Sequence, residues 1–347
     1  MLERKKVRAA NEDLPVIMEM NAASKMKLEK TFQVILGISL FVIIWGIVRP
    51  GNQQQTGIST FDFILNKMER KHDVNVVFVG DSRTETNIAP TVIQEILPDV
   101  GKIFNAGFSA QSLSERYFDH CAQMLISDST APQPLFILGI SHDSNLGMEG
   151  ENGPSISEFE RFELRNYTAY RRWENWLVTD FCAPIRISEL CKLIQPSYQP
   201  AKSAENHLDG WKAISIADHT KIYEMDGIAM HARKVVPGKI LNDSQQKGLV
   251  FLTKKIKELR ASGIIVIAYQ PPTSEENIRK TANYFLKTEF VRRTLQNAGA
   301  IWLEVPYTRY YSYDNSHLEK QAALQFSHDL ATMLKEKKDA GLLDQLR

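Results

Sequence analysis

Five short apolar runs, each ending in turn-forming residues, constrain the fold of this chain more than any other feature. The runs occupy 75–80, 102–107, 134–139, 263–272 and 300–306. Their continuous apolar character is typical of strands that helices cover on both faces of a parallel sheet. Between most of the runs lie stretches with helical spacing, the clearest of which contains Leu249, Leu252, Ile256 and Leu259. The β–α alternation predicts an α/β fold with a doubly wound parallel sheet.

Composition and motif content exclude several classes of protein. The 347 residues are 43% hydrophobic, enough for one large α/β domain or two small ones. Because 42 Lys and Arg balance 41 Asp and Glu, we expect no nucleic acid partner. The phosphate loop, the dinucleotide fingerprint and the His-Glu-x-x-His zinc motif are missing from the sequence, so we expect no cofactor and no metal.

The three cysteines are too few and too scattered for a metal cluster or a disulfide framework. Cys182 and Cys191 could pair in an oxidising compartment, which would leave Cys121 free and buried.

An uncharged apolar segment near the N-terminus predicts a membrane anchor. Phe32 to Val48 contains seventeen residues without a charge, and a bilayer core needs roughly 17–25 helical residues. Seven Lys and Arg residues precede this segment, while only Arg49 follows it before Lys67. The positive-inside rule therefore predicts a cytoplasmic N-terminus and an exported body. The alternatives are a buried core helix, which the absence of a recurring polar face disfavours, and a cleaved signal peptide, which lacks a cleavage site.

These features divide the chain into four parts. We predict a cytoplasmic tail at 1–31, a transmembrane helix at 32–49, a linker with an entry helix at 50–71 and an extracytoplasmic domain at 72–347. The last part is interrupted at 145–243 by a segment rich in charge and aromatic residues, which we interpret as a helical insertion.

The insertion follows the third predicted strand, and ligands of open parallel sheets bind beyond the carboxyl ends of the strands. It could therefore shape a pocket, or it could be a solvated helical face. Its residues Trp173, Trp176 and Trp211 could stack on sugar rings or pack in the core.

Two short motifs carry the candidate chemistry. The first apolar run ends in Gly80-Asp81-Ser82, and the sequence Asp314-x-x-His317 precedes the last predicted helix. A serine becomes a good nucleophile when a histidine takes its proton and an acid orients that histidine. Alternatively, Asp314 or Ser316 only caps a helix and His317 is incidental.

The order of the motifs resembles that of the SGNH/GDSL hydrolase superfamily. Gly-Asp-Ser after the first strand is followed by Asn-Ala-Gly after the second, Pro-Pro after the fourth, and Asp-x-x-His before the last helix. The resemblance covers most of residues 72–335 outside the insertion and implies a flavodoxin-like α/β sheet. It further implies that Ser82 is the nucleophile, His317 the general base and Asp314 the orienting acid, with Gly107 and Ser82 donating backbone N–H groups to the oxyanion.

The third block departs from the family pattern. Where the family has Gly-x-Asn-Asp, this chain has Gly139-Ile140-Ser141-His142-Asp143. Ser141 stands at the position of an oxyanion-binding asparagine, and Ser141 or His142 could replace that donor, although His142 could equally be structural. Loss of one such donor typically lowers the rate by about two to three orders of magnitude.

An N-terminal anchor combined with a changed third block is similar to the accessory acyl-transfer proteins of bacterial polysaccharide O-acetylation and teichoic acid D-alanylation. The resemblance implies an acyltransferase or esterase acting on O-acyl groups of a cell-envelope or secreted polysaccharide, beside a membrane-bound O-acyltransferase partner. The expected location is the cytoplasmic membrane, with the main domain periplasmic or extracellular. The alternative is a catalytically inactive scaffold that binds polysaccharide or the acyltransferase.

Overall fold

The computed structural model describes most of the predicted α/β body and little of the N-terminal part. The described residues are 31–33, 36–37, 57–58, 60–126, 132–141, 146–147, 157–164, 202–216, 240–281 and 283–343. The chain divides into two units, Met1–Gln55 and Thr56–Arg347. In the first unit, the described residues are helical, and Phe32 and Leu36 are exposed.

Most of the predicted span 32–49 lies outside the described residues. Within the residues that are described, no helix has both the length and the apolar character required to cross a membrane.

The second unit contains a five-stranded, fully parallel sheet, as the apolar runs predicted. Its strands are β1 (Val76–Val79), β2 (Ile103–Asn105), β3 (Leu135–Gly139), β6 (Ile265–Tyr269) and β7 (Ile301–Leu303). A separate hairpin consists of β4 (Lys202–Asn206) and β5 (Lys212–Ile216). The parallel strands lie in the order β2-β1-β3-β6-β7. This is the doubly wound order with one reversal beside β1, and it is consistent with a flavodoxin-like core.

Helices cover both faces of the sheet. They are α1 (Thr60–Glu69), α2 (Ser82–Asn87), α3 (Pro90–Ile96), α4 (Glu115–Gln123), α5 (Glu158–Leu164), α6 (Asp243–Ala261), α7 (Glu275–Lys280), α8 (Tyr284–Asn297) and α9 (Lys320–Asp339).

Because side chains alternate along a strand, β1 supplies both halves of the core. Val77 and Val79 pack with α1, α4, α6 and α8, whereas Val76 and Phe78 pack with α3 and α9. Both faces are therefore buried, which accounts for the continuous apolar runs.

The described part of the insertion differs from the helical prediction. It contains the helix α5 but also the antiparallel hairpin β4–β5, whose turn includes Asp209 and Gly210. Gly210 has a φ of 88°, a left-handed conformation that glycine adopts without strain. Asp-Gly is a common hairpin turn sequence, so the local sequence is compatible with this hairpin.

The hairpin binds to the edge of the sheet beside α2. The Asn105 N–H donates to the Asp209 carbonyl at 2.9 Å, and the Trp211 indole N–H donates to the Thr86 carbonyl at 2.9 Å. Trp211 is buried, so it belongs to the core rather than to a sugar-stacking surface. Trp173 and Trp176 lie outside the described residues.

Candidate active site

Ser82 lies at the carboxyl edge of the sheet, where β1 turns into α2. Asp81 is the N-cap of α2, and its carboxylate accepts the Arg83 N–H at 3.0 Å. The aspartate of Gly-Asp-Ser is therefore explained by helix capping. It fixes Ser82 as the first residue of the helix, with a partly exposed side chain beyond the strand ends.

The structure brings Ser82, His317 and Asp314 together. The Ser82 Oγ lies 2.7 Å from His317 Nε2, and His317 Nδ1 lies 2.7 Å from Asp314 Oδ2. An ionised carboxylate can only accept, so Nδ1 carries the proton and Nε2 is left to accept from the serine hydroxyl. This is the arrangement in which a histidine removes a proton from serine.

The backbone of the Asp314 loop holds the carboxylate in place. Asp314 Oδ1 accepts the N–H groups of Ser316 at 3.0 Å and His317 at 2.7 Å. Burial alone would raise the pKa of Asp314, but the hydrogen bonds and the attraction from His317 outweigh it and leave the pKa below its usual value. Asp314 therefore remains a carboxylate that orients His317.

The same loop is anchored to the segment that follows β6. Asn315 has a φ of 67°, and its carbonyl accepts the Thr273 hydroxyl at 3.0 Å. Asparagine tolerates this left-handed conformation better than most residues. On the other side, the Leu318 N–H donates to the Asn87 side-chain carbonyl at 3.0 Å, which ties the histidine loop to the end of α2.

Gly107, predicted as an oxyanion donor, lies in the loop that follows β2. Its N–H donates to the Asn105 side chain at 2.9 Å, so this donor already has a protein partner. A Cβ at position 107 would lie 2.5 Å from the Glu85 nitrogen, which explains the glycine by close packing against α2.

Asn105 explains the rest of the Asn-Ala-Gly block. Its amide donates to the carbonyls of Thr84 at 2.8 Å and Ile88 at 2.9 Å, and so satisfies the carboxyl end of α2.

The third block contacts an arginine that the sequence analysis did not include in the site. Ser141 is buried, and its hydroxyl accepts a hydrogen bond from Arg83 Nη1. The Arg83 Nε donates to the Ser316 hydroxyl at 2.8 Å. Arg83 therefore joins the third block to the histidine loop. His142, the other candidate donor of this block, lies outside the described residues.

A second missed feature is a buried ion pair beneath the site. Lys67 and Glu85 have fully buried side chains with Nζ and Oε1 3.2 Å apart, and Lys67 also donates to the Gly107 carbonyl. Burial lowers the pKa of Lys67. Burial would raise the pKa of Glu85, but Lys67 and Lys212 hold it below its usual value. The pair connects α1, α2 and the Gly107 loop, a contact that no local pattern in the sequence indicates.

Other predicted chemical groups are placed as follows. Cys121 is free and buried, as expected, and Cys182 and Cys191 lie outside the described residues. In the described ranges, no three His, Cys, Asp or Glu side chains are grouped so that they could hold a metal ion.

Comparisons with protein-family models, with curated proteins and with solved structures gave no match, so the site is interpreted from its own geometry.

Proposed function

We propose that this protein is a membrane-anchored serine acyl-transfer enzyme of the SGNH/GDSL type. The observation that carries the proposal is the chain of two 2.7 Å hydrogen bonds from Ser82 through His317 to Asp314. It lies at the carboxyl edge of a doubly wound sheet, where ligands of such folds bind.

In the proposed reaction, Ser82 Oγ attacks the carbonyl carbon of an ester while His317 Nε2 takes the serine proton. The carbonyl π electrons move to the oxygen, and the Ser82 N–H donates to the resulting oxyanion. When the tetrahedral intermediate collapses, the bond to the leaving alcohol breaks and His317 returns the proton to that alcohol. Asp314 stabilises the imidazolium formed between these steps. The product is an acyl-serine, which a second hydroxyl or water attacks in the reverse manner.

The proposed substrates are O-acyl groups of a cell-envelope or secreted polysaccharide. Two features support this choice. The charge-flanked apolar segment 32–48 would tether the enzyme to a membrane surface, and the β4–β5 hairpin adds a wall beside the histidine loop, where Ile214 and Ile216 pack against Tyr313. A membrane-bound O-acyltransferase is the proposed source of the acyl group.

The alternative of an inactive scaffold rests on the changed third block and on the Gly107 N–H that Asn105 already occupies. The 2.7 Å contact between Ser82 and His317 weighs against it, because a scaffold has no need of an aligned proton acceptor.

Covalent labelling separates these two functions. We expect a fluorophosphonate to label the full chain at Ser82, and Ser82→Ala to abolish the labelling while leaving the unfolding transition unchanged. Ser109→Ala, a change in a hydroxyl that donates to Glu85, is the matched control and should still be labelled. Labelling that persists in Ser82→Ala, or a folded wild type that is never labelled, would contradict the proposal.

Transfer and hydrolysis differ only in the acceptor. Incubation of the wild type with an acyl-ester donor, with and without an oligosaccharide, distinguishes them. Acylated oligosaccharide in excess over free acid indicates transfer, whereas free acid alone indicates an esterase.

A further inference from the structure

Arg83, the residue directly after the proposed nucleophile, is buried and has no counter-ion among the described residues. Only 3% of it is exposed. Its guanidinium donates to two neutral hydroxyls, those of Ser316 and Ser141. Among the described residues, no carboxylate oxygen lies within 4.0 Å of it.

Such an arrangement lowers the stability of the fold. A buried charge without a partner costs several kcal/mol, and hydroxyl groups can satisfy hydrogen bonds but cannot neutralise the charge. Structural arginines in protein interiors are normally paired with carboxylates for this reason. With no carboxylate beside it in the described ranges, the charge of Arg83 is suited to an anion that forms on the substrate.

One end of the guanidinium remains open. Nε and Nη1 contact the two serines, whereas Nη2 has no hydrogen-bond partner in the part of the chain that the structure describes. Nη2 is also not among the described polar atoms that are both unpaired and sealed from solvent. Nη2 therefore keeps a small contact with solvent, and we infer that a substrate oxygen approaches it from that side.

The guanidinium contacts the third block, from which the family's side-chain donor is missing. Ser141, one of its partners, is the residue of the third block from which a side-chain oxyanion donor was expected. Ser316, the other partner, directly precedes His317 and is itself hydrogen bonded to Asp314. The expected donor of the second block, the Gly107 N–H, is already taken by Asn105.

We propose that Arg83 is the side-chain oxyanion donor of this site and replaces the donor missing from the third block. Its guanidinium, held by Ser141 and Ser316, donates to the ester carbonyl oxygen as Ser82 Oγ bonds to the carbonyl carbon and the π electrons move to that oxygen. The two serines orient the group and leave its full positive charge available, which a carboxylate partner would have reduced. This role rests on the proposed function of Ser82.

The test is the rate of Ser82 labelling by a fluorophosphonate. In this reaction the Oγ–P bond forms, the P–F bond breaks, fluoride leaves, and His317 takes the proton, while charge builds up on the phosphonyl oxygen. With Arg83→Met in the full chain, we expect the second-order labelling rate to fall by about 10²–10³-fold. Arg83→Lys, which keeps a charge but cannot contact both serines, should lose less. The matched control is Arg292→Met, since Arg292 pairs with Glu289 on α8 and should label at the wild-type rate.

Two further measurements separate a catalytic role from a structural one. Labelling rates are measured over a range of pH and compared on the upper plateau of the profile, because the loss of an oxyanion donor lowers the rate on the plateau as well. Addition of millimolar ethylguanidinium to Arg83→Ala should restore part of the rate, which a misplaced loop would not allow. Thermal unfolding confirms that each variant is folded.

A wild type that labels at Ser82 and an Arg83→Met variant that labels within about twofold of it on the plateau would overturn the role of Arg83 and leave the proposed function intact. A folded wild type that is not labelled would overturn both.

Discussion

At the scale of single residues, Asp314 is the group on which the site depends most. One carboxylate accepts two backbone N–H groups and the imidazole of His317, which together hold its pKa below the usual value despite burial. An acid whose pKa is lower in the folded state adds stability above its unfolded pKa and loses it as the pH falls through the folded pKa.

Asp314→Asn should therefore have a pH-dependent effect on stability as well as an effect on rate. We expect the free energy of unfolding at pH 7 to fall by about 1–3 kcal/mol and the difference from wild type to shrink below the unfolded pKa of about 3.9. The labelling rate should fall by roughly 10³–10⁴-fold, because an amide cannot stabilise the imidazolium. Urea unfolding at several pH values measures the first effect, with the exposed Asp339→Asn as control. A stability loss that stays constant down to acid pH would contradict the assignment.

Short motifs predicted some residues of the candidate site but not the hydrogen-bond partners of others. Ser82, Asp314 and His317 were found from the order of short motifs, because a strand end and a loop before a helix put such residues on one sheet edge. The hydrogen bond from the Gly107 N–H to the Asn105 side chain was not predicted. The direction of the Asn105 side chain is set by the carbonyls at the end of α2, which are far from it in sequence.

At the scale of elements, the entry helix α1 supports the candidate site by packing against α2 and the Gly107 loop through Lys67. The sequence predicted a linker and entry helix at 50–71, but nothing in it indicated that Lys67 would be fully buried between the rings of Phe63 and Phe108. The ammonium group of Lys67 balances the negative charge of Glu85, which lies on α2, the helix that begins with Ser82.

Removing this ammonium should be costly. With Lys67→Met, we expect a loss of about 3–5 kcal/mol in the free energy of unfolding, because the buried Glu85 loses the closer of its two ammonium partners and keeps only Lys212, whose Nζ lies 3.8 Å from Glu85 Oε2. The exposed Lys102→Met, which removes a surface pair with Asp73, should cost less than about 1 kcal/mol. Adding Glu85→Gln to Lys67→Met should recover part of the loss. Chemical denaturation measures the free energy of unfolding of the wild type, the two single lysine variants and the double variant. Equal losses for the two lysine variants would contradict this prediction.

At the scale of the whole molecule, all groups of the proposed site lie in the unit Thr56–Arg347, while the proposed anchor lies in 32–49. We expect the full chain to remain in the membrane pellet after alkaline carbonate extraction, because charge-free apolar segments of this length partition into bilayers. A chain of residues 56–347 should be recovered in the supernatant, unfold cooperatively and label at Ser82 at the rate of the full chain.

Two results would contradict this division. Release of the full chain by carbonate would contradict the proposed membrane anchor. Failure of residues 56–347 to fold would show that the second unit requires the first unit for folding. Leu40→Arg places a charge in the centre of the apolar segment and should weaken membrane retention.

The sequence by itself determined the parallel α/β sheet, its five strands and the positions of Ser82, Asp314 and His317, because strand burial and motif order are local properties of the chain. Only the tertiary structure decided the rest. Contacts between residues far apart in sequence placed Lys67 under Glu85, set the Gly107 N–H against Asn105, and buried Arg83 between Ser141 and Ser316. The partner of a buried polar group depends on which elements meet around it, and that is fixed by packing rather than by the neighbouring sequence.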